Sequence, residues 1–183
     1  MSNRFVFQGG SSGLWKVTRQ SAYRGENLPV VERLDIIPGE APPKQTAAKW
    51  ALTGFTSNVR YATAAEVARL KAAQPALGRP EAICGALIPI KKSAAWWALA
   101  QDERRAIFED TSHHTAIGME YLPAIARRLH HSRDLNEPFD FLTWFEFAPQ
   151  DKPAFDNLVA KLRGTKEWAY VEREVDIRVE RSA

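Results

Sequence analysis

From residue 82 onward the apolar side chains switch repeatedly between a period of two and a period near four. That switching restricts the fold more than any other feature of this 183-residue chain. Residues 82–90 are an unbroken apolar run of strand length. Ser93 then caps a helix that the pattern carries through Trp96, Leu99 and Phe108 to Tyr121, with Asp102, Glu103, Arg104 and Arg105 on its surface. Pro123 ends or kinks that helix and can begin a further helical piece reaching about His131. Residues 139–147 alternate as a strand. Residues 152–162 put Phe155, Leu158, Val159 and Leu162 on one helical face, terminated by Gly164. Residues 170–179 form a last strand with Val171, Arg173, Val175, Ile177 and Val179 on one face. The order strand, helix, strand, helix, strand lacks one strand, hidden in the long helical region or its flank. It predicts an α+β unit of ferredoxin-like type, with helices on one face of an antiparallel sheet.

The first part of the chain is less regular. Residues 14–18 alternate like a strand, and residues 49–55 and 58–61 also read as strand material. Between them the segment Pro-Gly-Glu-Ala-Pro-Pro at 38–43 can only be a loop or linker. Thr63 and Glu66 form a capping box that starts a helix over residues 64–73. Pro75, Gly78 and Pro80 break the chain after it, which places a boundary between an N-terminal unit, residues 1–80, and a C-terminal unit, residues 81–183.

Several function classes are excluded. A net charge of +3 with no long basic stripe predicts no nucleic-acid partner. No apolar stretch has the length of a membrane span, and the first thirteen residues lack the apolar core of a secretion signal. Cys84 is the only cysteine, which rules out an intrachain disulfide and suits a reducing compartment; a cytoplasmic location is expected. There is no phosphate-cradling glycine loop, no cysteine pair for zinc and no His-Glu-x-x-His helix. The histidine pairs 113/114 and 130/131 lack the helical spacing of a two-histidine metal site, and the second pair is expected at the surface.

One histidine stands apart. At helical spacing Ile107, Thr111, His114, Gly118, Tyr121 and Ile125 share a seam, notched by the hydroxyl of Thr111 and the bare Cα of Gly118. A large flat ligand fits across such a notch, with His114 as its only strong donor, whereas His113 falls on a solvated stripe with Ala106, Asp110 and Glu120. Taken alone, His114 reads either as a satisfied core histidine or as a metal ligand.

The run from residue 83 to 179 resembles the haem-binding domain of the chlorite dismutase family. The resemblance rests on His114 followed by Gly118, Tyr121 and Leu122-Pro123, on Arg127 thirteen residues after the histidine, on Lys92 before the pair Trp96-Trp97, and on Glu167 near the last strand. It implies two ferredoxin-like units forming a dimeric α/β barrel, the N-terminal one shortened. It further implies haem b ligated through His114, with Glu167 as acceptor for the far ring nitrogen. Arg127 becomes the distal arginine that retains hypochlorite during conversion of chlorite to chloride and dioxygen. Lys92, Arg60 and Tyr61 become candidates for the haem propionates, and Trp96 and Trp97 for the pocket wall, Trp97 equally for a dimer interface. The implied partners are chlorite and a second copy of the chain. A peroxidase-like or coproheme-decarboxylating relative, and a dimeric binding module without haem, are the alternatives. Six tryptophans and nine phenylalanines are more than one core of this size needs, which fits an apolar two-fold interface around Trp97, Phe139, Phe141, Trp144 and Phe145.

Overall fold

Strands whose residues alternate between two apolar faces need cover on both sides, and this chain supplies it by closing its sheet. The computed structural model describes residues 3–39, 48–56 and 60–181. Its strands are β1 (Arg4–Gly10), β2 (Trp15–Arg24), β3 (Arg33–Pro38), β4 (Ala48–Phe55), β5 (Cys84–Lys92), β6 (Ala126–His131), β7 (Phe141–Phe147) and β8 (Val171–Arg181). They form one closed antiparallel barrel in the order β1-β3-β2-β8-β5-β7-β6-β4. The first four strands are thus contiguous, as are the last four, and the two sets join where β2 meets β8 and where β4 meets β6.

One face of each strand fills the barrel. Phe7, Leu34, Leu52, Leu87, Leu142, Trp144, Val175 and Ile177 are almost completely enclosed there. The next residue along each strand faces outward, so Ala86 and Ile88 of β5 and Phe145 and Phe147 of β7 meet α5 (Lys152–Arg163). That helix buries Phe155, Leu158, Val159 and Leu162, the face expected from the sequence, and ends at Gly164. Each such side chain contributes about 2 kcal/mol by leaving water. The aromatic residues of β7 are therefore used within the chain. Phe139 and Trp144 lie in the barrel and Phe145 packs on Phe155 at 4.9 Å, which removes them from the interface expected around them.

Other expectations hold locally. α1 (Ala64–Ala73) starts at the Thr63–Glu66 capping box, and β4 covers the predicted strand at 49–55. β8 keeps Val175, Ile177 and Val179 on the barrel face as expected, but Val171, past a register shift against β5, packs with the outer cluster instead. The predicted linker at 38–43 and strand at 58–61 fall largely outside the described residues.

Two expectations fail. The single helix from Ser93 to Tyr121 is instead a series: α2 (Ala94–Ala98), α3 (Gln101–Arg105), a π-helical turn (Ala106–Thr111) and α4 (His114–Met119). His113 breaks it with a left-handed φ of 53°, and Glu109 restarts it by accepting the amides of Thr115 at 2.7 Å and Ala116 at 3.3 Å. The second failure supplies the missing strand. Residues expected to be helical after Pro123 form β6, paired with β7 from Ala126↔Glu146 to His131↔Phe141. His130 on this strand is enclosed in the barrel rather than exposed.

Candidate functional site

Outside the barrel wall, between β5, β6 and β7 on one side and α1, α4 and α5 on the other, lies a cavity of about 750 Å³. Its walls are mostly apolar, from Ile88 and Ile90 on β5 to Leu158 and Leu162 on α5. A cavity of this size and lining suits a cofactor-sized ligand. Of the predicted seam, His114, Gly118, Tyr121 and Ile125 line it; Ile107 and Thr111 do not, because the helix breaks between them and His114.

His114 begins α4, where its Nδ1 lies 2.7 Å from Glu167 Oε2. An ionised carboxylate can only accept, so Nδ1 carries the proton and the lone pair stays on Nε2. Phe108 stacks on the imidazole at 4.3 Å and Trp168 lies parallel to it at 6.3 Å, which fixes the ring plane. His113, one residue earlier, is exposed.

Glu167 is itself enclosed. Its other oxygen accepts from Lys92 Nζ at 2.6 Å, and its backbone N–H donates to Ser112 Oγ at 3.0 Å. Burial alone would raise its pKa, but His114 and Lys92 outweigh that and hold the carboxyl at about 2. The anion is thus permanent at any working pH. Lys92 is correspondingly spoken for. Its ammonium is buried on Glu167 with the rings of Trp96 and Trp168 at 4.6 and 5.5 Å, so the expected propionate role gives way to one behind His114.

Arg127, from β6, enters the same cavity. The turn at Pro123 reverses the chain so that the guanidinium packs over Gly118; a Cβ there would sit 3.3 Å from its Nη1. Burial without a carboxylate lowers its pKa, yet a guanidinium starts high enough to remain charged. Gln74 Nε2 holds the Arg127 backbone carbonyl at 2.6 Å.

Trp96, Arg60 and Tyr61 also line the cavity. Among the described residues, Tyr61 Oη and Trp96 Nε1 are buried without a hydrogen-bond partner, and Arg60 makes a loose contact with Asp134 at 3.9 Å. Trp97 is outside the lining: its Nε1 donates to Asp140 at 3.2 Å and its ring sits under Arg133 at 3.7 Å. Sequence reasoning missed Ser112 and Glu109, whose side chains secure Glu167 and the start of α4; only their polarity inside an apolar-looking helix hinted at it.

Among the described residues no three His, Cys, Asp or Glu side chains gather to hold a bare metal ion. No helix among them is long and apolar enough to cross a membrane.

A family model described as chlorite dismutase matches residues 39–182. The crystal structure of dimeric chlorite dismutases from Nitrobacter winogradskyi is similar with a TM-score of 0.90 and 54% identity, covering 97% of this chain and 99% of that one. A chlorite dismutase from Candidatus Nitrospira defluvii in complex with imidazole is 29% identical with a TM-score of 0.59, over 73% of this chain and 56% of that one. The curated chlorite dismutase of Ideonella dechloratans is 36% identical over 84 residues, 46% of this chain and only 27% of that protein.

Proposed function

The chain belongs to the chlorite dismutase family, and we propose that it is a haem b oxidoreductase that decomposes chlorite to chloride and dioxygen. The observation that carries this reading is His114: its proton is committed to Glu167, so Nε2 presents a lone pair to a cofactor-sized cavity. The residues present fit the group. The cavity is apolar over most of its wall, and Tyr61 Oη, Trp96 Nε1 and Arg60 supply polar partners for propionates at one part of it.

Haem b, when bound, would supply a redox-active iron for oxygen-atom exchange with chlorite. The chain's own residues do the rest. Glu167, fixed by Lys92 and Ser112, keeps the His114 proton on Nδ1 and makes the ligand nitrogen electron-rich. Phe108 and Trp168 prevent the imidazole from turning. Arg127 holds the chlorine oxyanion through a planar cation that does not surrender a proton, so hypochlorite stays in the cavity until the O–O bond forms.

The strand order supports two ferredoxin-like units, residues 1–80 and 81–183, each contributing four neighbouring strands to the barrel. The first is shortened: β1 passes to β2 without a helix. The dimeric Nitrobacter protein, alike over nearly its whole length, supports a homodimer here. The test is to reconstitute the purified chain with haem, record a Soret band, and follow chlorite with an oxygen electrode. One dioxygen per chlorite is expected. A Soret band with no dioxygen would favour a peroxidase-like relative, and no Soret band at all a binding module.

A further inference from the structure

We propose that Arg128 forms a second anion site on the cavity wall, which receives a small monovalent oxyanion before it reaches Arg127. The proposal deepens the reading of the cavity as a chlorite site and rests on it.

Arg127 and Arg128 are adjacent on β6, so their side chains leave the strand on opposite faces, yet both reach the cavity. Arg128 does so from a rigid mount. Its Nε donates to His130 Nε2 at 3.1 Å, and the other ring nitrogen of His130 donates to the Leu142 carbonyl at 3.0 Å. The imidazole is fully enclosed, edge-on to Phe5 and Phe7 at 5.2 and 4.9 Å. Gly54 makes room for it, since a Cβ there would sit 2.7 Å from His130 Cβ. Burial, ahead of the nearby Arg128 charge, lowers the His130 pKa to about 4, so Nε2 keeps its lone pair for Arg128 above that pH. Phe5 supports the guanidinium from below at 3.9 Å.

These contacts hold Arg128 by its Nε and its π face, and among the described residues neither terminal nitrogen has a protein partner. Among the described residues no carboxylate pairs with it. The nearby acid, Glu146, spends one oxygen on Trp144 Nε1 at 2.9 Å and the other on the Gly78 amide at 2.6 Å. The acids lining the cavity are occupied too: Glu167 by Lys92 and His114, Glu174 by Arg163 and Trp168. A half-buried guanidinium, fixed in direction and lacking a counterion, has the character of a fork waiting for an oxyanion.

Nitrite, a bent oxyanion, is the probe. Titrated into the haem-free chain, it should shift the Arg128 Nε–H resonance saturably. In haem-loaded protein at about pH 8.5, where imidazole is uncharged, Arg128→Gln should slow nitrite association about fivefold and flatten its ionic-strength dependence. Imidazole association should stay within about twofold of the parent, because steering acts only on charge. Arg128→Lys should restore most of the nitrite rate. Equal slowing of both ligands, an unchanged nitrite rate, or loss of haem by Arg128→Gln (a propionate partner) would each overturn the proposal. If the chain takes up no haem, the nitrite titration still decides the site, and only the haem reading fails.

Discussion

Replacing Glu167 with Gln tests the support behind His114 without changing its shape. The parent carboxylate accepts from Lys92 Nζ at 2.6 Å and from His114 Nδ1 at 2.7 Å, with both Lys92 and Glu167 almost wholly buried. A glutamine offers one acceptor oxygen and turns an N–H toward the other donor, leaving the Lys92 charge enclosed without a counterion. Breaking a buried pair on one side costs about 3–5 kcal/mol. Linkage leads to a similar figure: a carboxyl at about 2 in the folded chain, against 4.5 ordinarily, corresponds to about 3 kcal/mol. The sign follows from the depressed pKa: this contribution is complete above pH 4.5 and is lost as pH falls toward 2. Denaturant unfolding of the haem-free chain at neutral pH, followed by circular dichroism, measures it. Glu167→Gln should lose about 3 kcal/mol, and Glu167→Gln with Lys92→Met should regain most of that, because removing both charges removes the stranded one. A single variant within about 1 kcal/mol of the parent, or a double variant no better than the single, would refute the reasoning.

Three further outcomes are expected. His114→Ala should lose haem or hold it weakly while His113→Ala keeps the parent spectrum, since only His114 faces the cavity; the reverse pattern would contradict the site. Arg127→Ala should keep its Soret band but bleach after fewer turnovers and release hypochlorite that a scavenger traps; parental turnover number and no trapped hypochlorite would dismiss the distal role. His130, held at about 4 against 6.5 ordinarily, takes up its proton more readily unfolded, so the chain should lose about 3 kcal/mol as pH falls from 6.5 through 4; His130→Asn should flatten that part of the profile, measured as urea midpoints.

Elements with one strong period are legible in the sequence. α5 declares its buried face through Phe155, Leu158, Val159 and Leu162, and α1 its start through Thr63 and Glu66. β6 was not legible, because neither of its faces is conventionally apolar: Arg127, Arg128 and His131 all line a cavity, and His130 is enclosed in the core. Such a strand shows no alternation to read. The break before α4 was hidden for a different reason. A left-handed His113 and a buried Glu109 capping the next helix are tertiary arrangements, and nothing in local propensity requires them. His114, Arg127 and Glu167 still line one cavity despite these differences, because the fold gathers those side chains whichever elements carry them. The role of Lys92 did not survive, since only the structure reveals that Glu167 lies within its reach.

The central claim is that one cavity, ligating through His114 and retaining through Arg127, keeps both oxygen atoms of a single chlorite together until they bond. Chlorite labelled with oxygen-18 at both positions, given to the haem-loaded chain in ordinary water, tests it by mass spectrometry of the gas released. Dioxygen carrying both labels is the predicted product. Dioxygen mixed with solvent oxygen, or labelled hypochlorite accumulating with no dioxygen, would contradict the account.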